Sequence, residues 1–429
     1  MFRPALQPRL QAASKDLTLY ASLALSTKSI ADYDSVPGVD TQQLRELAEP
    51  LRDARVLNLS VTTFGTSVAD LLGSTTPLLQ DLGLDSHWQA VRSYEDPTLE
   101  SAIYNAIAGT PVWSSEFADH WRRYNEMNAE LYEDDWDFVI VHDPQPAGIP
   151  MVLREGRGLG RAKWIWHCHL DLTSANEALR LLLRSQSDYY DAVVFDLPQY
   201  TIPEIESDRL RIIRPAIDPL DPHNADISED TISEVLARLG VDPEMPLVVQ
   251  VAPLDRWHDA VGLINAVRAA RQSVPGLQLV LVANITRDDP ETRSYFQEIV
   301  QCVEPGEPVQ IISTLDELGY VGINVFQRAA NAVALRNVRK GLSMRLLDAM
   351  WKARPVVTRT GGPMSDLVQD GETGWLADND ESWSAALAEA VTQPAEAARR
   401  SANARALVRD NYLITRYLAD YLALLRELR

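Results

Sequence analysis

A chain of 429 residues is longer than one hydrophobic core ordinarily serves, so it predicts two or three domains. Its 46% hydrophobic and 24% charged content is that of a globular protein, and no window holds the roughly 18 consecutive apolar residues of a membrane span. A formal charge of −21, from 61 acidic against 40 basic side chains, argues against nucleic acid and anionic membranes as partners; Cys168 and Cys302 alone make neither a disulfide framework nor a zinc ligand set.

The first residues are basic but lack an apolar stretch, which predicts no signal peptide and, with so little cysteine, a cytoplasmic location. Residues 1–50 read as an N-terminal arm, with helices near 10–25 and over Leu44–Leu51 and room for homodimer contacts. From Arg55 the pattern alternates. RVLNLSVTTFG is a strand and turn followed by a helix through VADLLGSTTPLLQDLG; DFVIVHD, KWIWHCHLD and DAVVFDLP are three more apolar runs. After a proline-rich passage from Pro215 to Pro246 the alternation restarts with PLVVQVAPLD, LQLVLVAN, VQIIST, NAVALRN and RPVVTRT, separated by helical segments. From Glu381 onward the sequence is mostly helical. Two α/β Rossmann-like domains facing a central cleft follow: 51–216, completed by a C-terminal helix over 413–429, and 217–412. Ligands of such sheets bind outside the carboxyl ends of the strands.

The polar residues at those ends are the candidates. In HDPQP, His142, Asp143 and Gln145 follow an apolar strand, and Asp and Gln offer the paired acceptors and donors that vicinal sugar hydroxyls need; a loop-capping Asp before prolines is the plainer alternative. In WHCHLDL, His167 and His169 share one strand face with Asp171 beyond them. Two histidines make a weak metal signal, so a sugar-facing or a structural histidine is expected and no metal. SVTTFGTSVAD opens a helix start, but with one glycine it is a weak phosphate loop. The densest cationic stretch is RNVRKGLSMRLLDAMWKARP. Arg336, Arg339, Lys340, Arg345, Lys352 and Arg354 surround a loop-to-helix transition at Gly341, an arrangement suited to a diphosphate or simply to a solvated amphipathic helix.

HDPQPA, WHCHLDL, RPAIDPL, VDPEMPLVVQV, INVFQRAANAV, GLSMRLLDAMWKARPVV and DGETGWL, in that order, resemble the trehalose glycosyltransferring synthases. The likeness covers nearly the whole chain. It implies the two-domain GT-B fold and retaining transfer from a nucleotide-activated sugar, the co-substrate, to a small sugar such as glucose, with no separate cofactor. It makes Asp143 and Gln145 acceptor-side contacts, with His142 and Asp171 as sugar-binding candidates from their place at the strand ends, and His169 the histidine that reaches the donor sugar. Donor-phosphate contacts would fall to Arg256, His258, Arg339, Lys340, Gly341 and Asp348. The chain departs from the family at this end: Pro253 and His258 stand where the resemblance implies a phosphate-binding Arg and Lys, and Lys340 and Asp348 stand for a pair of glutamates. Three outcomes therefore remain open: a transferase with altered donor use, a catalytically inactive sugar-binding relative, or a phosphorylase-like enzyme with phosphate at Arg339 and Lys340.

Overall fold

A computed structural model describes residues 27–429 except 64–65, 93–97, 111–112, 134, 284–289, 314–318, 338–341, 362–363 and 365–366. The first sheet comprises β1 (Arg55–Ser60), β2 (Asp85–Ala90), β3 (Phe138–His142), β4 (Lys163–Cys168), β5 (Ala192–Phe195) and β6 (Leu210–Ile212). The second comprises β7 (Leu247–Val251), β8 (Gln278–Ala283), β9 (Val309–Ser313), β10 (Ala332–Leu335), β11 (Val356–Arg359) and β12 (Trp375–Ala377). Both are parallel, ordered β2-β1-β3-β4-β5-β6 and β12-β11-β10-β7-β8-β9. Helices cover both faces, which is why the inner strands are continuous apolar runs.

Strand order reverses between β1 and β3 in the first sheet and between β7 and β10 in the second. Open α/β sheets bind ligands in the crevices beyond these two points. Three strands escape the apolar pattern, β2, β6 and β12. β2 and β6 are edge strands with polar residues, and β12 has three residues inside what reads as a glycine turn, so none shows a long apolar run.

Residues 27–51 are not a free arm. Asp40 caps the helix Thr41–Ala48, and Pro50, which cannot continue it, turns the next residues into a 3-10 turn at Glu49–Leu51. Ile30, Tyr33, Leu44 and Leu51 are buried in the same core as Leu418, Leu422 and Leu425 of the C-terminal helix Ile414–Leu428. The helix expected near 10–25 lies outside the described residues. Beyond the second lobe the chain crosses back, so that this C-terminal helix lies on the first lobe. The two crossings are tied together: Ile217 N–H donates to Tyr412 O at 2.8 Å, and Ile414 N–H to Ile217 O at 2.9 Å. No helix among the described residues is long and apolar enough to cross a membrane.

Candidate active site

Strand parity builds the site. Along β4, Trp164, Trp166 and Cys168 enter one core, while Ile165 and His167 point to the opposite face. His142 shares that second face with Phe138 and Ile140, and Asn58 shares it with Val56. The register sets His142 beside His167, and Cys168 beside Phe195, so His169 and Asp196 emerge side by side at the carboxyl ends of β4 and β5. Over this row lie Tyr417 and Tyr421 of the C-terminal helix.

One hydrogen-bonded chain links these groups. Asn58 Nδ2 donates to His87 O at 3.4 Å, which leaves its Oδ1 to accept from His142 Nε2 at 3.2 Å. His142 Nδ1 then has a lone pair, which accepts from His169 Nε2 at 3.0 Å; His169 Nδ1 donates to Asp196 Oδ1, also at 3.0 Å. His169 thus carries both protons as an imidazolium, and His142 is neutral. The same Asp196 oxygen accepts from His167 Nε2 at 3.0 Å, and Tyr421 OH donates to His167 Nδ1 at 2.6 Å.

The titration behaviour agrees. Burial, reinforced by His169 and His167, holds His142 well below the usual imidazole range. Burial, with repulsion from His169, pulls His167 down to about 4. Burial also opposes charge on His169, but Asp196 and then Asp143 outweigh it and push its affinity for a proton up. Burial acts against the Asp196 carboxylate as well, yet His169 and His167 hold it well below the usual range.

The site thus includes Asn58, Asp196 and Tyr421, none of which the motifs single out. The three histidines bring ring nitrogens within 4.8 Å of one another, the spacing of a metal-binding group. Their six ring nitrogens, however, are all engaged as just described, so a metal would have to displace Asn58, Asp196 and Tyr421 contacts.

Asp143 sits at φ 70°, in the left-handed region, directly after β3. Its N–H donates to His167 O at 2.9 Å, its carbonyl accepts from Trp166 Nε1 at 3.0 Å, and its carboxylate accepts the His169 N–H at 3.2 Å. These contacts fix the HDPQP loop and hold His169 in place. Gln145 is different. Its amide is 4% exposed, and neither Oε1 nor Nε2 bonds to any group of the protein. Asp171 does not join the group: its carboxylate accepts from Thr173 N–H at 2.9 Å and Thr173 OH at 2.6 Å, a local turn.

On the second lobe the expected phosphate contacts are largely committed elsewhere. Arg256 is 57% exposed and pairs with Glu298 at 2.7 Å, with its guanidinium 5.3 Å from the Tyr295 ring, so it serves its own lobe. His258 Nδ1 is held by Asp255 at 2.8 Å. Asp348 is buried on the lining of the interlobe cleft, accepting from Arg345 at 2.7 Å and from Asn224 at 2.9 Å. Arg339, Lys340 and Gly341 lie outside the described residues. Between the lobes, a small cleft is lined by Ser67, Asp70, Asp218, Asn224, Arg345 and Asp348 among others.

The model of the trehalose synthase N-terminal domain matches residues 58–202, and that of the group 1 glycosyl transferases matches 232–407. The trehalose synthase of Rubrobacter xylanophilus is 35% identical over 410 residues, 94% of this chain and 97% of that protein; that of Pyrococcus horikoshii is 30% identical over 409, with the same shares. The chain belongs to the trehalose synthase family. Its fold is the GT-B glycosyltransferase fold. A UDP-forming α,α-trehalose-phosphate synthase from Burkholderia xenovorans superposes with a TM-score of 0.70 at 13% identity, covering 87% of this chain and 100% of that one. The histidine array of this trehalose synthase family member lies within the first matched segment, apart from Tyr421, which comes from the crossing helix.

Proposed function

We propose that the protein transfers a glycosyl group from a nucleotide-activated donor, held by the second lobe, to a small neutral sugar such as glucose held by the first. The observation that carries this is the Gln145 amide, buried and unpaired at both ends, three residues along the chain from His142. A buried amide without partners costs free energy, and adjacent hydroxyls supply one donor and one acceptor at the needed spacing. The neighbouring charges select a neutral acceptor. Asp143 and Asp196 stand against a single imidazolium, so a phosphorylated sugar would meet net repulsion there.

His169 is the group that meets the transferred sugar: Asp196 holds its Nδ1–H, and its Nε2–H turns from His142 Nδ1 to a sugar hydroxyl when the donor binds. Asp143 and Asp196 each hold His169 through one carboxylate oxygen. Transfer with retention then proceeds by front-face displacement: the acceptor hydroxyl attacks as the C–O bond to the phosphate breaks, and the proton leaves with the phosphate oxygen. No cofactor enters beyond the donor. The relatives named trehalose synthase support this assignment.

The test is incubation with UDP-, ADP- or GDP-glucose and 13C-labelled glucose, following anomeric NMR signals. A labelled non-reducing disaccharide is expected. A second reading, a sugar-binding protein without transfer, is favoured by the engagement of Arg256, His258 and Asp348 within their own lobe. Glucose that raises the melting temperature, with no disaccharide from any donor, would establish that second reading in place of the first.

A further inference from the structure

Three described cations of the stretch 336–354 differ in their partners. Arg336 is taken by Asp259 at 2.7 Å and Asp380 at 2.6 Å, with its guanidinium over Trp383. Lys352 is buried, donating to Gln327 at 2.6 Å. Arg345 alone among these three reaches the other lobe. It stands on the first turn of the helix Met344–Trp351, just past the crevice beyond β10, where strand order in the second sheet reverses.

Its two arms are unequal. One donates to Asp348 of its own helix at 2.7 Å, and that carboxylate is 3% exposed and braced from behind by Asn224. The other donates to Asp70 on the helix Ser67–Asp81 of the first lobe, and here both side chains keep about a fifth of their surface exposed (21% and 23%). Asp70 is thus the partner that can be exchanged. Burial raises its proton affinity, against the pull of Arg345, so the pair holds a partly desolvated carboxylate.

We propose that Arg345 is a residue of this chain that ligates the donor diphosphate, and that Asp70 is an internal competitor which the diphosphate displaces. Donor binding thereby breaks the ion pair between the lobes. The proposal rests on the donor assignment made above. It also answers the presence of Pro253 and His258: positive charge reaches the crevice from the helix after β10, not from the loop after β7. A guanidinium anchored on one side by Asp348 keeps its second pair of donors directed at one place, as bidentate phosphate recognition requires.

The experiment is calorimetric titration of the full chain with UDP, ADP and GDP, together with Arg345→Gln and Asp70→Asn. Wild type is expected to bind at least one of them. Arg345→Gln should weaken that binding roughly 30-fold, and Asp70→Asn should tighten it about threefold, since a partly exposed competitor is removed. Glucose-induced melting shifts in both variants report that the first lobe is intact. Binding that is unchanged in Arg345→Gln, or weakened in Asp70→Asn, would overturn the proposal while leaving the transferase assignment standing. No binding of any nucleoside diphosphate by wild type would overturn both.

Discussion

Replacing Asp196 by Asn is the sharpest probe of the histidine array. Both imidazoles that meet Asp196 do so through one oxygen, each at 3.0 Å, so an asparagine carbonyl in that place keeps both hydrogen bonds and removes only the charge. Opposite unit charges whose centres are about 4 Å apart attract by roughly 4 kcal/mol at an effective dielectric near 20. That is a ceiling of about 3 pKa units for His169. The amide dipole retains part of it, leaving an expected fall of about 1.5–3 units. With the anion gone, burial is opposed by Asp143 alone and His169 gives up its proton more readily. The assay is an NMR titration of the imidazole protons of His169, alongside the pH profile of transfer. His169 should lose its proton at a lower pH in the variant, and the fall in transfer rate that accompanies that loss should move to lower pH with it. An unchanged His169 titration would refute the imidazolium assignment and with it the directional hydrogen-bond chain from Asn58.

Gln145→Ala should raise the KM for the acceptor sugar by roughly 10- to 100-fold, the effect of two hydrogen bonds to a buried amide, with the KM for the donor little changed; steady-state kinetics checks both. Acid should destabilise the fold through His167. Its folded value of about 4 lies below the ordinary 6.5, so its stabilising contribution is complete above pH 6.5 and is lost as pH falls toward 4, by about 3 kcal/mol in all. His142 acts in the same direction, while the contribution of His169, whose affinity is raised, stays intact below 6.5. Urea unfolding between pH 7 and 4.5 should show that slope, and a stability independent of pH over this range would contradict the neutral buried imidazole. Gly148→Ala should destabilise by about 1–3 kcal/mol, because a Cβ there would stand 2.5 Å from the Trp121 ring and 3.0 Å from the Asn125 amide carbon, both rigidly packed behind the HDPQP loop. Thermal melting of that variant gives the answer directly.

The alternation of apolar runs makes both sheets legible in the sequence, and period-two spacing is enough by itself to place His167 and His169 on one face. What spacing within one strand does not carry is register between strands. That His142 meets His169, and that Asp196 meets both His169 and His167, follows only when β3, β4 and β5 are aligned. Asp196 does leave a trace, an acidic residue ending the apolar run of DAVVFDLP just as Asp143 follows that of FVIVH. Tyr417 and Tyr421 leave less, because their partner is 250 or more residues away. On the second lobe, composition draws attention to the cationic stretch, but long flexible side chains take whichever carboxylates lie near them. Arg256 pairs with Glu298, and Arg336 with Asp259 and Asp380, choices set by tertiary neighbours alone.

The helix Ile414–Leu428 supplies Tyr421 to a histidine 254 residues earlier in the chain. During synthesis the first lobe therefore waits, its row of imidazoles and carboxylate lacking a cover, while the whole second lobe is made and emerges. Such a distant closure is slow to form. A nascent chain halted before residue 414 would be expected to expose that face to solvent, and so to be the form of this protein most dependent on chaperones.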